Sequence, residues 1–168
     1  MYSARLLLAL WLAMAFGPAT ADEAPSVTAV TAVAPESAAE RYFGKARELT
    51  LQAMGFLGIR YRYGGATPES GFDCSGLVGY VFSQVAGLAL PRKAREIGKL
   101  GEKVARDELQ PGDLVFFNTL RHPFSHVGIY LGEHRFIHAP GRGGEVEISE
   151  LTSRYWQKRY NGARRIAY

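Results

Sequence analysis

The chain has 168 residues, 47% of them hydrophobic and 21% charged, with 19 glycines, 8 prolines and one cysteine, which fits one globular domain with some irregular chain. Those numbers leave little room for a second catalytic domain, speak against a long disordered tail, and exclude a miniprotein held by its own disulfides, because Cys74 has no thiol to pair with. The formal charge of +4 is spread without a Lys/Arg run or an aromatic-basic motif, so nucleic acid is not an expected partner.

At the start, Arg5 precedes the apolar run Leu6–Phe16, and Gly17-Pro18-Ala19-Thr20-Ala21 ends in an Ala-x-Ala pattern. This order reads as a secretory signal peptide over 1–21, cleaved after Ala21. The apolar run of 11 residues is about half of the ~20 needed to cross a bilayer, so no transmembrane anchor is expected. No cysteine follows the run, so no lipid anchor is expected either. The expected location is the periplasm or the cell exterior. Loss of Arg5 lowers the formal charge to +3, compatible with a polyanionic envelope. In an oxidising compartment an unpaired cysteine is usually absent or put to use, which makes Cys74 informative.

Residues 22–40 are read as a linker and 41–168 as the catalytic domain. Ser37 and Glu40 nevertheless have capping-box spacing, followed by Phe43, Ala46, Leu49, Ala53 and Phe56 at helical steps, which predicts a helix ending near Gly55 or Gly58. A second helical stripe, Leu77, Val78, Val81, Phe82 and Val85, follows Asp73 as its N-cap and closes at Gly87. A third short helix is expected from about Arg92 to Leu100, weakened by Gly98. Strands are expected at 114–117, 126–131, 135–138, 146–148 and 163–168. The fold class is therefore α+β, with N-terminal helices packed on an antiparallel sheet.

With Asp73 as N-cap, Cys74 falls in the first helical turn, where free N–H groups and the dipole favour thiolate. A nucleophilic thiol needs a base. Period-2 alternation from Ser125 puts Val127, Ile129 and Leu131 on one face and His126, Gly128 and Tyr130 on the other. A hairpin centred on residue 132 or 133 would set His138 opposite 126 or 128, with both imidazoles on one face; a centre between those residues would separate them. One histidine could then move the proton while the other orients it, the logic of covalent acyl transfer. His122 and His126 lie four apart, but Pro123 and the strand pattern oppose a helix there, and no third ligand is near by spacing. Neither a metal nor a cofactor is expected.

Tyr61-Arg-Tyr-Gly-Gly65, Phe72-Asp-Cys-Ser-Gly76, Leu90-Pro-Arg92, Leu109–Phe117, Ser125-His-Val-Gly-Ile-Tyr130, Phe136-Ile-His-Ala139 and Tyr155–Tyr160 together resemble the NlpC/P60 family of papain-like cysteine peptidases of bacterial cell walls. Within it the sequence is most similar to the small murein endopeptidases of the Spr type. The resemblance implies Cys74 as nucleophile, His126 as general base and acid, and His138 as the orienting third member. It also implies substrate or oxyanion contacts at Tyr61, and support or substrate contact at Asp73 and Ser75. The substrate would be peptidoglycan, cut at the γ-D-glutamyl–diaminopimelate or the D-alanyl–diaminopimelate amide. Where the family often carries hydroxyl residues and a glutamine after Leu-Pro-Arg92, this chain has Lys93, Ala94, Arg95 and Ile97. The alternatives are an amidase or acyltransferase on another substrate, and a catalytically silent wall-binding adaptor. A monomer is the default expectation.

Overall fold

A computed structural model describes residues 37–119 and 122–167. The predicted signal peptide and residues 22–36 of the linker lie outside the described residues. Helix α1 (Ala38–Met54) begins where the capping box forms: Glu40 N–H donates to Ser37 Oγ at 3.2 Å and Ser37 N–H to Glu40 Oε2 at 2.7 Å. Residues 37–40 therefore form the capped start of this helix. Ala46, Leu49, Thr50 and Ala53 form its buried stripe.

A short hairpin follows, β1 (Ala66–Thr67) with β2 (Gly71–Phe72), and leads into α2 (Cys74–Ala86). Helix α2 stops at Gly87, which adopts φ 66, a left-handed cap that glycine takes without steric cost. The expected third helix shrinks to α3 (Ala94–Ile97), because Lys93 supplies no side-chain cap and Gly98 ends it. The remaining strands are β3 (Glu102–Val104), β4 (Leu114–Phe117), β5 (His126–Gly132), β6 (Arg135–His138), β7 (Glu147–Glu150) and β8 (Tyr160–Arg165), with α4 (Arg154–Gln157) before the last. The sheet order is β3-β8-β4-β5-β6-β7, every pairing antiparallel.

Both faces of this sheet are covered, and alternation along the strands assigns side chains to one layer or the other. Leu114, Phe116, Val127, Ile129 and Ile137 pack with Leu49, Leu77, Val78 and Val81 of the helices. Val115, Phe117, Tyr130 and Phe136 pack with Leu151 and Trp156. Central β4 is consequently buried at all four residues. Its exit from the turn is anchored by the fully buried Asp113, which accepts from Arg165 at 2.8 and 2.7 Å and from the Gln110 N–H at 2.8 Å. No helix among the described residues is long and apolar enough to cross a membrane.

Candidate active site

Three stretches that are separate in the sequence meet at the start of α2. Asp73 caps the helix by accepting from the Gly76 N–H at 2.8 Å and pins the preceding loop by accepting from the Gly64 N–H at 2.9 Å. The Arg92 guanidinium donates from both terminal nitrogens to Asp73, at 2.8 Å each, and reaches the Gly65 carbonyl at 2.9 Å. Burial alone would raise the Asp73 carboxyl, but the Arg92 bonds and charge together with the two backbone N–H groups outweigh it and hold the group below its usual range. Close backbone approach completes the junction. A Cβ on Gly76 would lie 2.0 Å from the Gly65 oxygen, and one on Gly65 would lie 2.2 Å from the Gly71 oxygen.

Cys74, the first residue of α2, is a free thiol of intermediate exposure. It borders a cavity of about 450 Å³ together with Tyr61, Tyr63, Arg92, Lys93 and Arg95. The backbone N–H groups of Ser75 and Val127 are directed at its sulfur, so the thiol abuts β5 one residue from His126. Helix position favours thiolate, yet burial is the larger influence and pushes the thiol up to about 11. Burial thus opposes the thiolate that helix position favours.

The hairpin register answers the question left open by the sequence. Ile129 pairs with Ile137 and Tyr130 with Phe136, which centres the turn on residue 133. Glu133 and His134 form the two-residue loop at φ 50 and 59, the left-handed pair that suits a tight hairpin. His126 and His138 then share a face as diagonal neighbours, and His126 Nε2 meets His138 Nδ1 at 2.9 Å. Gly128 leaves the space for this: a Cβ there would come within 2.7 Å of the Phe136 ring and 3.2 Å of the His138 Cβ. Stacked aromatics enclose both rings. Trp156 lies on His126 at 5.6 Å and Phe136 on His138 at 4.8 Å between centroids. Burial pushes His126 down to about 4 and His138 down to about 2, so both rest neutral. With Nε2 of His126 engaged by His138, Nδ1 is the nitrogen left to serve the thiol.

Tyr61 stands between the Cys74 cavity and a second one of about 470 Å³ lined by Arg60, Arg62 and Glu69. Burial raises its phenol, with Cys74 and Asp73 adding to the effect, so it remains a hydroxyl donor. Ser75 and Asp73 border the cavity, but their polar atoms face inward: Ser75 Oγ donates to the Arg92 carbonyl at 2.8 Å and accepts from its guanidinium at 2.9 Å. These hydrogen bonds are those of the support role expected for Asp73 and Ser75. His122 lines the cavity. Sequence reasoning missed Trp156 as a wall of the pair, and it missed Glu147 and Ser149, which stand behind His138. Glu147 lies directly opposite His138 in the sheet, a register hidden by the long connection over 139–146.

A helix-borne thiol against a sheet-borne, neutral histidine pair defines the thiol hydrolase class of site, in which one ring relays a proton and the other orients it. The chain belongs to the NlpC/P60 family, whose profile matches residues 58–165. It is 42% identical over 135 residues to the murein DD-endopeptidase MepH of Escherichia coli (strain K12), covering 76% of this chain and 50% of that one. It is also 49% identical over 116 residues to the gamma-DL-glutamyl hydrolase of Bacillus subtilis (strain 168), covering 68% of this chain and 28% of that one. The chain thus spans half or less of these two relatives. A crystal structure of an NlpC/P60 family protein from Bacillus cereus superimposes with a TM-score of 0.68 at 33% identity, covering 73% of this chain and 40% of the other.

Proposed function

We propose that this protein is an exported peptidoglycan endopeptidase that cleaves an amide of the peptide stem or cross-link through a Cys74 thioester. The observation that carries the reading is the buried, neutral His126–His138 pair at 2.9 Å, with the one remaining His126 nitrogen available to a thiol that abuts the same strand. In the first step the Cys74 sulfur attacks the amide carbon as its proton passes to His126 Nδ1. A dehydrated thiol and imidazole exchange a proton without either bearing a standing charge beforehand, which burial would penalise. The oxyanion would be met by the Cys74 N–H, which has no intrahelical acceptor at the first helical position, and by the Tyr61 hydroxyl. His126 then gives the proton to the leaving amine. Water attacks the thioester, its proton passes to His126, and the thiol departs with that proton.

The cavity supports an anionic substrate. Arg92 is neutralised by Asp73, whereas Lys93 and Arg95 on the same rim make no ion pair among the described residues. Stem peptides present several carboxylates, and the departure from the family pattern after Arg92 adds cations where they would be met. The two relatives carry different bond names, a DD-endopeptidase and a gamma-DL-glutamyl hydrolase. Digestion of purified sacculi with mass spectrometry of the fragments decides between those bonds. New amine ends at diaminopimelate are expected, and Cys74→Ala should lower the rate by roughly 10⁴-fold or more. Absence of products from several wall types would overturn the reading in favour of another amide substrate or an adaptor role.

A further inference from the structure

His138 is not the end of the polar line. Its Nε2 lies 3.0 Å from Ser149 Oγ and 3.5 Å from Glu147 Oε1, and Ser149 Oγ lies 3.5 Å from the same carboxylate oxygen. We propose that Ser149 and Glu147 are positioning residues that fix His138 as the Nε2–H tautomer and thereby make His126 a base at Nδ1; this rests on the thiol hydrolase reading above.

One proton must lie between His126 Nε2 and His138 Nδ1. If His138 supplied it, its bare Nε2 lone pair would face the Glu147 carboxylate, and His126 would carry its proton on Nδ1, unable to accept from the thiol. If His126 supplies it, every contact is favourable. His138 Nε2–H donates to Ser149 Oγ, and the Ser149 hydroxyl turns its hydrogen toward Glu147. The carboxylate therefore selects the arrangement in which His126 Nδ1 holds a lone pair. It also favours the imidazolium that forms when the thiol proton arrives, since the polarised His138 passes that attraction inward. The Glu147 side chain is 49% exposed, while His138 is fully buried. The other titratable groups acting on the two rings are Asp73, the cap of α2, which favours a charged His126, and His126, which disfavours charge on His138. Among the described residues, β4 and α4 present the rings of Phe117 and Trp156 to them.

Edge strand β7 carries both residues at its rim, so substitutions there should leave the fold intact, checked by circular dichroism. The decisive measurement is long-range ¹H–¹⁵N correlation on the wild-type protein at pH 8. The expected result is His138 protonated at Nε2 and bare at Nδ1. A His138 carrying its proton on Nδ1 overturns the proposal without any variant. Ser149→Ala and Glu147→Lys should shift that population and lower kcat about tenfold with KM unchanged, the scale seen when the outer hydrogen-bond partner of a functional imidazole is removed. Ser149→Thr keeps the hydroxyl and should keep kcat near wild type. Wild-type tautomer and kcat in both Ser149→Ala and Glu147→Lys would also refute it. Iodoacetamide labelling of Cys74 gives a rate without substrate. If wild-type protein leaves sacculi intact, the endopeptidase reading fails while the tautomer result still judges this proposal.

Discussion

Two buried polar groups flank the Cys74 sulfur, and they have opposite solutions to burial. On the α2 side Asp73 stays charged, because one guanidinium and two backbone N–H groups surround its oxygens. On the α4 side His126 and His138 stay neutral, because burial against Trp156, Phe117 and Phe136 outweighs the carboxylates near them, Asp73 and the half-exposed Glu147. A buried charge is tolerated where donors saturate it, and a buried base is kept proton-free where nothing does. The first arrangement holds the nucleophile's helix in place; the second keeps a base ready to accept.

The comparison breaks most severely at the glycine junction beneath Asp73. In Gly76→Ala the new methyl would meet the Gly65 backbone oxygen, and a loss of about 3 kcal/mol is expected in urea denaturation. Asp73→Ala removes the cap and strands the Arg92 charge. Because Arg92 is 45% exposed, water screens part of the loss, and about 2–4 kcal/mol is expected. The histidine side should behave differently. Replacing both rings together, His126→Leu with His138→Leu, removes a neutral hydrogen-bonded pair and should leave stability within about 1 kcal/mol, while alkylation of Cys74 loses its dependence on a neighbouring base. A double variant as unstable as Asp73→Ala would mean that the rings are charged.

Stability against pH sharpens the same contrast. The two rings are held at about 4 and about 2 against an ordinary 6.5. Their contribution is complete above pH 6.5 and is lost as pH falls through 4, at about 1.4 kcal/mol per pH unit for each proton taken up by the unfolded chain alone. Cys74 is held at about 11 against 9.0, so its contribution is complete below pH 9 and is lost as pH rises through 11. Asp73 acts in a lower window, present above its ordinary 3.8 and lost further down. Urea midpoints should therefore plateau between about pH 6.5 and 9; a midpoint that stays level or climbs as pH falls from about 6.5 to about 4 would contradict neutral rings. The smallest effect is expected at the rim. Lys93→Glu with Arg95→Glu should change stability by no more than about 0.5 kcal/mol and raise KM for a carboxylate-bearing stem peptide about threefold, more at low salt.

Much of this was legible before any coordinates. The capping box at Ser37, the Asp73 cap and the alternation along 126–131 are local signals, and local physics realises them. Cys74, His126 and His138 followed from those elements. What escaped depends on contacts between distant segments. The strands Glu102–Val104 and Ala66–Thr67 are too short to show a period. The last strand begins at Tyr160 and not 163, because it pairs with β4 across a bulge that no periodicity announces. Trp156, Ser149 and Glu147 gain their roles only through the β6–β7 register and the docking of α4. The thiol's burial was equally invisible: helix position is written in the sequence around Asp73, but the enclosing β5 backbone is not.

That enclosure has a consequence for the working life of the protein. Thiolate, not thiol, is the form that peroxides and electrophiles attack, and Cys74 has no second cysteine in these 168 residues to rescue an oxidised sulfur. If Cys74 acts as proposed, burial that opposes its ionisation also keeps the sulfur less reactive toward scavenging oxidants. The enclosure that opposes ionisation would then double as a form of shelf protection for the sulfur.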